Sequence, residues 1–366
     1  LRQGTRFHFA GGRLSQLYGT GSCKTETGTF HQRPRHEGTP EDDRTARKDC
    51  QDAVCEYIWN SFEAGASKVA VSMMGSPLQE AMSLVVADNG VGIAFDNLDR
   101  TFGTFLSSLK NNATMRLKSQ SNKGKGRFSY LSFSHSAEWH TVYRADSKLK
   151  QYTISTNSAS RSQFDTTEPV DVIDETETGT TVTFSLEDSN TVDLLSFGAM
   201  KQKLLEEFAW YLFLNKDKGY VLEYTGIPLD ISEYIRTDLS RNCLCKIGSH
   251  DFSIDVVVWN SSVSNSSKIY YRTEKGEIAA TQNTSFNKNT VKFYHAVFVS
   301  SKYFVPDMFI PAEDDSGQTE MDSFSQVEQR SVFRELNKHI RSLVADVLKT
   351  FLYIFRSRNT GAIIRH

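Results

Sequence analysis

Met82-Ser-Leu-Val-Val-Ala-Asp88-Asn-Gly90-Val-Gly92-Ile93 decides how the whole chain is read. Met82–Ala87 is a hydrophobic strand, and it runs straight into an aspartate followed by two glycines. A carboxylate at such a strand end can accept a hydrogen bond from an exocyclic amine, and glycines let backbone come close to a flat ligand. Just upstream, Cys50, Ala53, Val54, Tyr57, Ile58 and Ser61 recur at spacings of three and four. That periodicity predicts an amphipathic helix ending near Ala64-Gly65, with a strand at Lys68–Met74 after it. Glu56 and Asn60, four apart, share one face of this helix, and Glu63 follows close by. A carboxylate beside a side-chain amide can orient a water and ligate a hard cation through oxygen.

Two further segments lie downstream. Lys123-Gly124-Lys125-Gly126-Arg127 precedes a short helix of small and aromatic residues, Arg127–Phe133. Glycines ahead of a helix N-terminus expose amide donors that suit phosphate oxygens, with lysine and arginine alongside to neutralise charge. Gly179-Thr180-Thr181-Val182 opens a strand whose first hydroxyls can meet a ligand's polar edge. Helical segments are expected around Phe95–Lys110 and a polar stretch over Asn111–Lys125. Strands are expected at Glu138–Arg144, Leu149–Thr156, Pro169–Ile173 and Thr180–Leu186. A helix, Ala199–Leu214, closes this unit. Helix, hairpin, helices and then a meander of strands give an α+β order with helices on one face of a sheet.

A second unit is expected from residue 220, with strands near Tyr220–Tyr224, Asp251–Asn260, Lys268–Arg272 and Lys292–Ser300. Val327–Phe355 reads as a helix whose stripe of Leu336, Ile340, Leu343, Val347 and Phe351 packs on that unit, the alternatives being a dimer seam or a lead into a downstream domain. Residues 1–45, rich in Gly, Thr, Arg and His without periodicity, read as a poorly ordered leader.

Composition bounds the class. The chain has 366 residues, 39% of them hydrophobic and 23% charged, an ordinary globular balance. A formal net charge of -2 supplies no global basic field for nucleic acid. No apolar run reaches the roughly 18 residues of a membrane helix, and no signal-peptide core is seen, so the chain reads as cytoplasmic. Five cysteines with no C-x-x-C pair suggest neither a disulfide frame nor a zinc knuckle. There is no P-loop, and His135-Ser-Ala-Glu-Trp-His140 lacks the H-E-x-x-H spacing of a zinc helix.

Taken together and in this order, the four segments resemble the GHKL superfamily of gyrase B subunits, ninety-kilodalton heat-shock chaperones, histidine kinases and MutL-type repair proteins. The resemblance spans roughly Thr45–Asn215. It implies an α/β sandwich of the Bergerat type, a mixed and mostly antiparallel sheet with helices on one face. A smaller transducer-like α/β domain (220–312) and a helical C-terminal segment (313–366) would follow the ATP-binding domain (46–219). It implies ATP and Mg²⁺ as ligands, with Glu56 the general base and Asn60 the magnesium ligand. Asp88 would bind the adenine amine, Gly90 and Gly92 would make room for the base, and Thr180 and Thr181 would complete the polar contacts. Lys123, Gly124, Lys125, Gly126 and Arg127 would form a lid over the phosphates. One departure stands out: Arg127-Phe128-Ser129 follows Gly126 where the family often keeps another glycine.

The implied function is a nucleotide-driven conformational switch, MutL-like or defence-associated, with ATP hydrolysis and a nucleotide-dependent homodimer. The alternatives are a non-hydrolysing nucleotide-binding interaction module and a chaperone-like ATPase. No long phospho-acceptor helix precedes the domain, which argues against a histidine kinase. The downstream partner, DNA or protein, is not legible.

Overall fold

The computed structural model describes residues 28–31, 50–75, 82–98, 126–158, 163–173, 177–186, 189–286, 291–306, 308 and 324–363. Ten strands form the first sheet: β1 (Gly28–His31), β2 (Lys68–Met74), β3 (Met82–Asp88), β4 (Ser136–Ala145), β5 (Lys148–Asn157), β6 (Gln163–Thr166), β7 (Val170–Asp171), β8 (Gly179–Leu186), β9 (Val221–Tyr224) and β10 (Ile227–Pro228). Their spatial order is β1-β6-β5-β4-β8-β3-β2-β9-β10, with β7 beside β5. The β2–β9 pair is parallel and the remaining neighbours are antiparallel.

Alternation decides which face is covered. Val69 and Val71, Leu84 and Val86, Trp139, Ile154, Val182 and Phe184 are all buried and belong to one core. The intervening residues Lys68, Glu138 and Arg144 are exposed. The sheet therefore has one apolar face, as half-covered antiparallel sheets do. Onto it pack α1 (Cys50–Glu63), the short α2 (Ser189–Leu194) and α3 (Phe197–Leu214). The Tyr57 and Phe184 rings meet at 4.6 Å, joining α1 to the middle of the sheet.

The second sheet comprises β11 (Arg241–Ile247), β12 (His250–Val258), β13 (Lys268–Arg272), β14 (Ile278–Asn283) and β15 (His295–Ser300), in the order β11-β12-β15-β13-β14. Its central strands are apolar at nearly every position because both faces are covered. Tyr270, Ala296 and Phe298 turn toward α3 and join the first core. Tyr271, Val297 and Val299 turn the other way, onto α4 (Phe324–Ile363), where Phe333, Leu336, Ile340, Val344 and Val347 cover them. The layers thus run sheet, helices, sheet, helix.

The structure departs from expectation at three points. Gly28–His31, inside the expected leader, is a strand paired with β6. The strand at Tyr220–Tyr224, assigned from sequence to the second unit, pairs with β2 in the first sheet, and β10 follows it there. Two strands of the second sheet, β11 and β14, were not anticipated. Of the helices expected around Phe95–Lys110, a 3-10 turn at Phe95–Asn97 and the buried Leu98 after it are described; residues 99–125, including the polar stretch Asn111–Lys125, lie outside the described residues.

His295 opens β15 fully buried. The Phe293 carbonyl can only accept, so His295 Nδ1 carries the hydrogen toward it (3.2 Å), and Nε2 accepts from the Thr284 hydroxyl at 3.0 Å. Burial pushes its pKa down from 6.5 to about 4, opposed by the Phe293 contact. Between those values the unfolded chain binds a proton that the native state refuses. Stability should therefore be flat above about pH 6.5 and fall by up to about 3 kcal/mol as pH drops toward 4. Urea midpoints across that window should show this loss in the wild type and a flatter profile in His295→Gln; parallel profiles would refute the assignment.

Candidate functional site

The site begins as a change of residue type along one face of the first sheet. Register aligns Val86 with Val182 and Trp139, an apolar row. One pleat further along, on the same face, Asp88 pairs with Thr180, Thr180 with Thr141 and Thr141 with Tyr152. A carboxylate and two hydroxyls thus cross three adjacent strands where the apolar face ends. The hydroxyls touch, Thr141 Oγ1 and Thr180 Oγ1 lying 3.1 Å apart. Asp88 Oδ1 accepts from the backbone N–H of Gly90 (2.8 Å) and of Thr180 (3.2 Å). Two amides on one oxygen fix the plane of the carboxyl group.

The loop after Asp88 is held from three sides. Val91 N–H donates to the Ala64 carbonyl at 3.0 Å, tying the loop to the end of α1. Asn89 Oδ1 accepts from the N–H groups of Ser67 (3.0 Å) and Lys68 (2.8 Å), clamping the start of β2. Ile93 N–H donates to Thr141 Oγ1 (2.9 Å), and the Tyr152 hydroxyl donates to the Ile93 carbonyl (3.0 Å). The glycines make this possible. A Cβ on Gly92, where φ is +74°, would sit 2.2 Å from the Val142 carbonyl oxygen. One on Gly179 would sit 2.2 Å from the Asp88 carbonyl oxygen, and one on Gly90 2.8 Å from that of Ala64. Gly90 and Gly92 were expected to let a ligand approach; the contact that each glycine demands here is with the protein's own backbone.

Helix α1 is buried at Ala53, Val54, Cys55, Tyr57, Ile58, Trp59, Ser61 and Phe62. Its half-open positions include Asp52, Glu56, Asn60 and Glu63, at spacings of four, four and three, which is one helical stripe. The stripe is the expected Glu56–Asn60–Glu63 face, and its end is the Ala64 segment that grips the Asp88 loop. Asp52, at its start, is ion-paired with Lys203 of α3.

Gly126 and Arg127 open the 3-10 helix Gly126–Ser132, which packs on α1. Burial pushes the Tyr57 hydroxyl well above its ordinary pKa, so it stays protonated, hydrogen-bonded to the Ser129 side chain. Tyr130 is fully buried behind it. The C-terminal end of the expected lid is thereby fastened to the helix carrying Glu56 and Asn60, although Lys123, Gly124, Lys125 and the Arg127 side chain lie outside the described residues.

One expectation fails on parity. Thr181 pairs with Ala87 and His140, so it faces away from Asp88 and cannot complete that polar row. Thr141 takes its place, and sequence reasoning missed it. The available signal was Trp139-x-Thr141-x-Tyr143, one hydroxyl among inward-facing aromatics. Magnesium suits oxygen ligands and usually keeps waters and substrate phosphates in its shell. Among the described residues no three His, Cys, Asp or Glu side chains form a ready-made metal cluster. Asn60, half-open on the α1 stripe, carries one amide oxygen of the kind such a shell accepts.

Residues 48–180 match the family model of the histidine kinase-, DNA gyrase B-, and HSP90-like ATPases. The match runs from the start of α1 to Thr180 and takes in both the α1 stripe and the Asp88 loop. No curated protein matches the chain.

Gly65 and Gly92 both have positive φ, but a Cβ on Gly65 meets nothing within 4 Å. Gly65→Ala should therefore cost only the conformational strain, about 1–2 kcal/mol. Gly92→Ala adds a backbone collision and should cost about 3 kcal/mol or more. Denaturant midpoints measure both; equal losses would mean that the loop can lift off Val142.

Proposed function

We propose that this chain, whose residues 48–180 carry a GHKL-type ATPase domain, binds ATP with Mg²⁺ and hydrolyses it to drive a conformational switch. The observation that carries the reading is the Asp88–Thr180–Thr141 row, set at the edge of an apolar face and locked to the end of the helix bearing Glu56 and Asn60. An adenine ring suits that edge: its flat faces match apolar residues and its amine matches a fixed carboxylate. Asp88, with Oδ1 held by two amides, accepts the amine's hydrogen bond. Thr180 and Thr141, already sharing a hydrogen bond, supply hydroxyls for the ring nitrogens or an intervening water.

Glu56, two turns before the Asp88 contact, is the base that draws the proton from the attacking water. Asn60, one turn on, offers its amide oxygen to the cation. Magnesium, when bound, neutralises charge on the phosphates and helps to hold them in line. Gly124 and Gly126 lend amides to the terminal phosphates, and Lys123, Lys125 and Arg127 balance their charge. The output, MutL-like or defence-associated, is a change of association state that begins at the lid. Fastening of Ser129 and Tyr130 to α1 supports this, because lid ordering then bears on the same helix that holds Glu56. Among the described residues no helix is long and apolar enough to cross a membrane.

Asp88→Asn should weaken ATP binding by about 1–3 kcal/mol, since an amide nitrogen can face the adenine amine and leave the bond unmade. Thr180→Val should weaken it as well, while Thr181→Val should not. Glu56→Ala should bind normally and turn over about 10²–10⁴-fold more slowly. Calorimetry and phosphate release test these; undiminished hydrolysis in Glu56→Ala would leave only a binding module.

Saturating non-hydrolysable ATP analogue with Mg²⁺ should protect the chain from trypsin between Arg116 and Arg127 and increase its mass by light scattering. Unchanged cleavage would remove the ordered lid, and protection at constant mass would remove the dimer alone.

A further inference from the structure

Arg272 ends β13 on the same face as Tyr270, toward α3 and the 3-10 turn Lys216–Lys218 that follows it. The residue is 7% exposed, and among the described residues its guanidinium has no hydrogen-bond partner and no ion pair. Nε is sealed from solvent. The two Nη nitrogens are equally unbonded but are not sealed, so the open end of the fork is the end that another molecule can meet. Burial pulls the pKa of this group below its ordinary value, and Asp217 and Asp255 oppose that from a distance. Asp255 accepts instead from Asn242 Nδ2 at 2.7 Å. A guanidinium taken out of water is costly unless its donors are matched, and the group that matches them best is a planar or tetrahedral oxyanion.

A second cation converges on the same place. Gly276 N–H donates to the Thr273 carbonyl and Thr273 N–H to that of Glu277, both at 2.9 Å, which closes the β13–β14 turn. Gly276 has φ +75°, and the position a Cβ would take there lies 3.2 Å from Arg272 Nη2 and 3.7 Å from Lys218 Nζ. Both side chains thus reach one bare point on the backbone. Lys218 is exposed and directs one of its three donors to the Gly276 carbonyl at 3.3 Å. It has no carboxylate partner either. Two cations held together without a counter-charge repel each other, and an anion with several oxygens relieves both.

We propose that Arg272 and Lys218 form a binding site for a small tetrahedral oxyanion of the phosphate type. The Nη donors of Arg272 meet the ion's oxygens, and Lys218 balances its remaining charge. The bound ion joins the turn after α3 to the β13–β14 turn, and so fastens the second sheet to the helix that both sheets share. No residue of the Asp88 row takes part, so the site stands whether or not nucleotide binds there.

Inorganic phosphate is the probe, titrated into the full chain against chloride at equal ionic strength. The wild type should bind it saturably by calorimetry and melt at a rising temperature as phosphate increases. Arg272→Gln should bind phosphate at least about 10-fold more weakly and lose the melting shift. Lys218→Gln alters an exposed side chain, leaves the core as it is, and should also bind about 10-fold more weakly. Lys201→Gln removes the same charge from the exposed pair with Glu233 and should bind as the wild type does. Asp88→Asn should bind phosphate normally too, whatever it does to ATP. No phosphate-specific melting shift in the wild type, wild-type affinity in Lys218→Gln, or an equal loss in Lys201→Gln would each overturn the proposal.

Discussion

The last two turns of α3 leave almost nothing for water. Phe208, Ala209, Trp210, Tyr211, Leu212 and Leu214 are all buried, because sheets press on the helix from opposite sides. A helix that is apolar all round must be enclosed, and this one is the element both halves of the molecule share. On one side Trp59 meets Phe208 at 4.8 Å; on the other, Phe213 meets Phe298 at 4.9 Å and Trp210 stacks on Tyr270. Glu207 links the same two sides through hydrogen bonds from Trp59 and Ser264. Movement of the second sheet is therefore movement of the packing behind α1, which gives the Glu56–Asn60–Glu63 stripe a physical route to the rest of the chain.

The candidate site inherits its precision from backbone contacts. Gly90, Gly92 and Gly179 each admit a carbonyl oxygen where a methyl group would collide. The Asp88 loop is consequently set by strands β4 and β8 and by the end of α1, before any ligand arrives. Preorganisation of this kind spares a ligand the cost of ordering its own contacts.

Much of this was legible in the residues. Strands β2 and β13 coincide with the expected limits because their apolar runs are bounded by turn residues. The stripe Glu56–Asn60–Glu63 follows from helical spacing, which is a local property. What escaped was non-local. The four residues of β9 read as a strand, yet nothing in Val-Leu-Glu-Tyr says that the partner is β2. Strand β11 hides its pattern because Leu244 is 79% exposed while Cys243 and Cys245 point half inward. Thr181 was grouped with Thr180 because they adjoin; only the register with Asp88 shows that adjacent strand residues face opposite ways. Thr141 announces itself along the chain only as one hydroxyl among inward-facing aromatics; what joins it to the site is the register across the sheet.

The parallel pairing of β2 with β9 also orders events in time. Lys68 lies against Val221 across about 150 residues of intervening chain. At ribosomal rates of about 5–20 residues per second, the edge of β2 waits on the order of ten to thirty seconds for its partner. Throughout that interval the backbone donors and acceptors along Val69, Ala70 and Val71 have no native strand to take them. An unpaired apolar edge is a template for other chains, so the nascent protein is most exposed to mispairing or chaperone capture after β2 and β3 have emerged and before Tyr224 does.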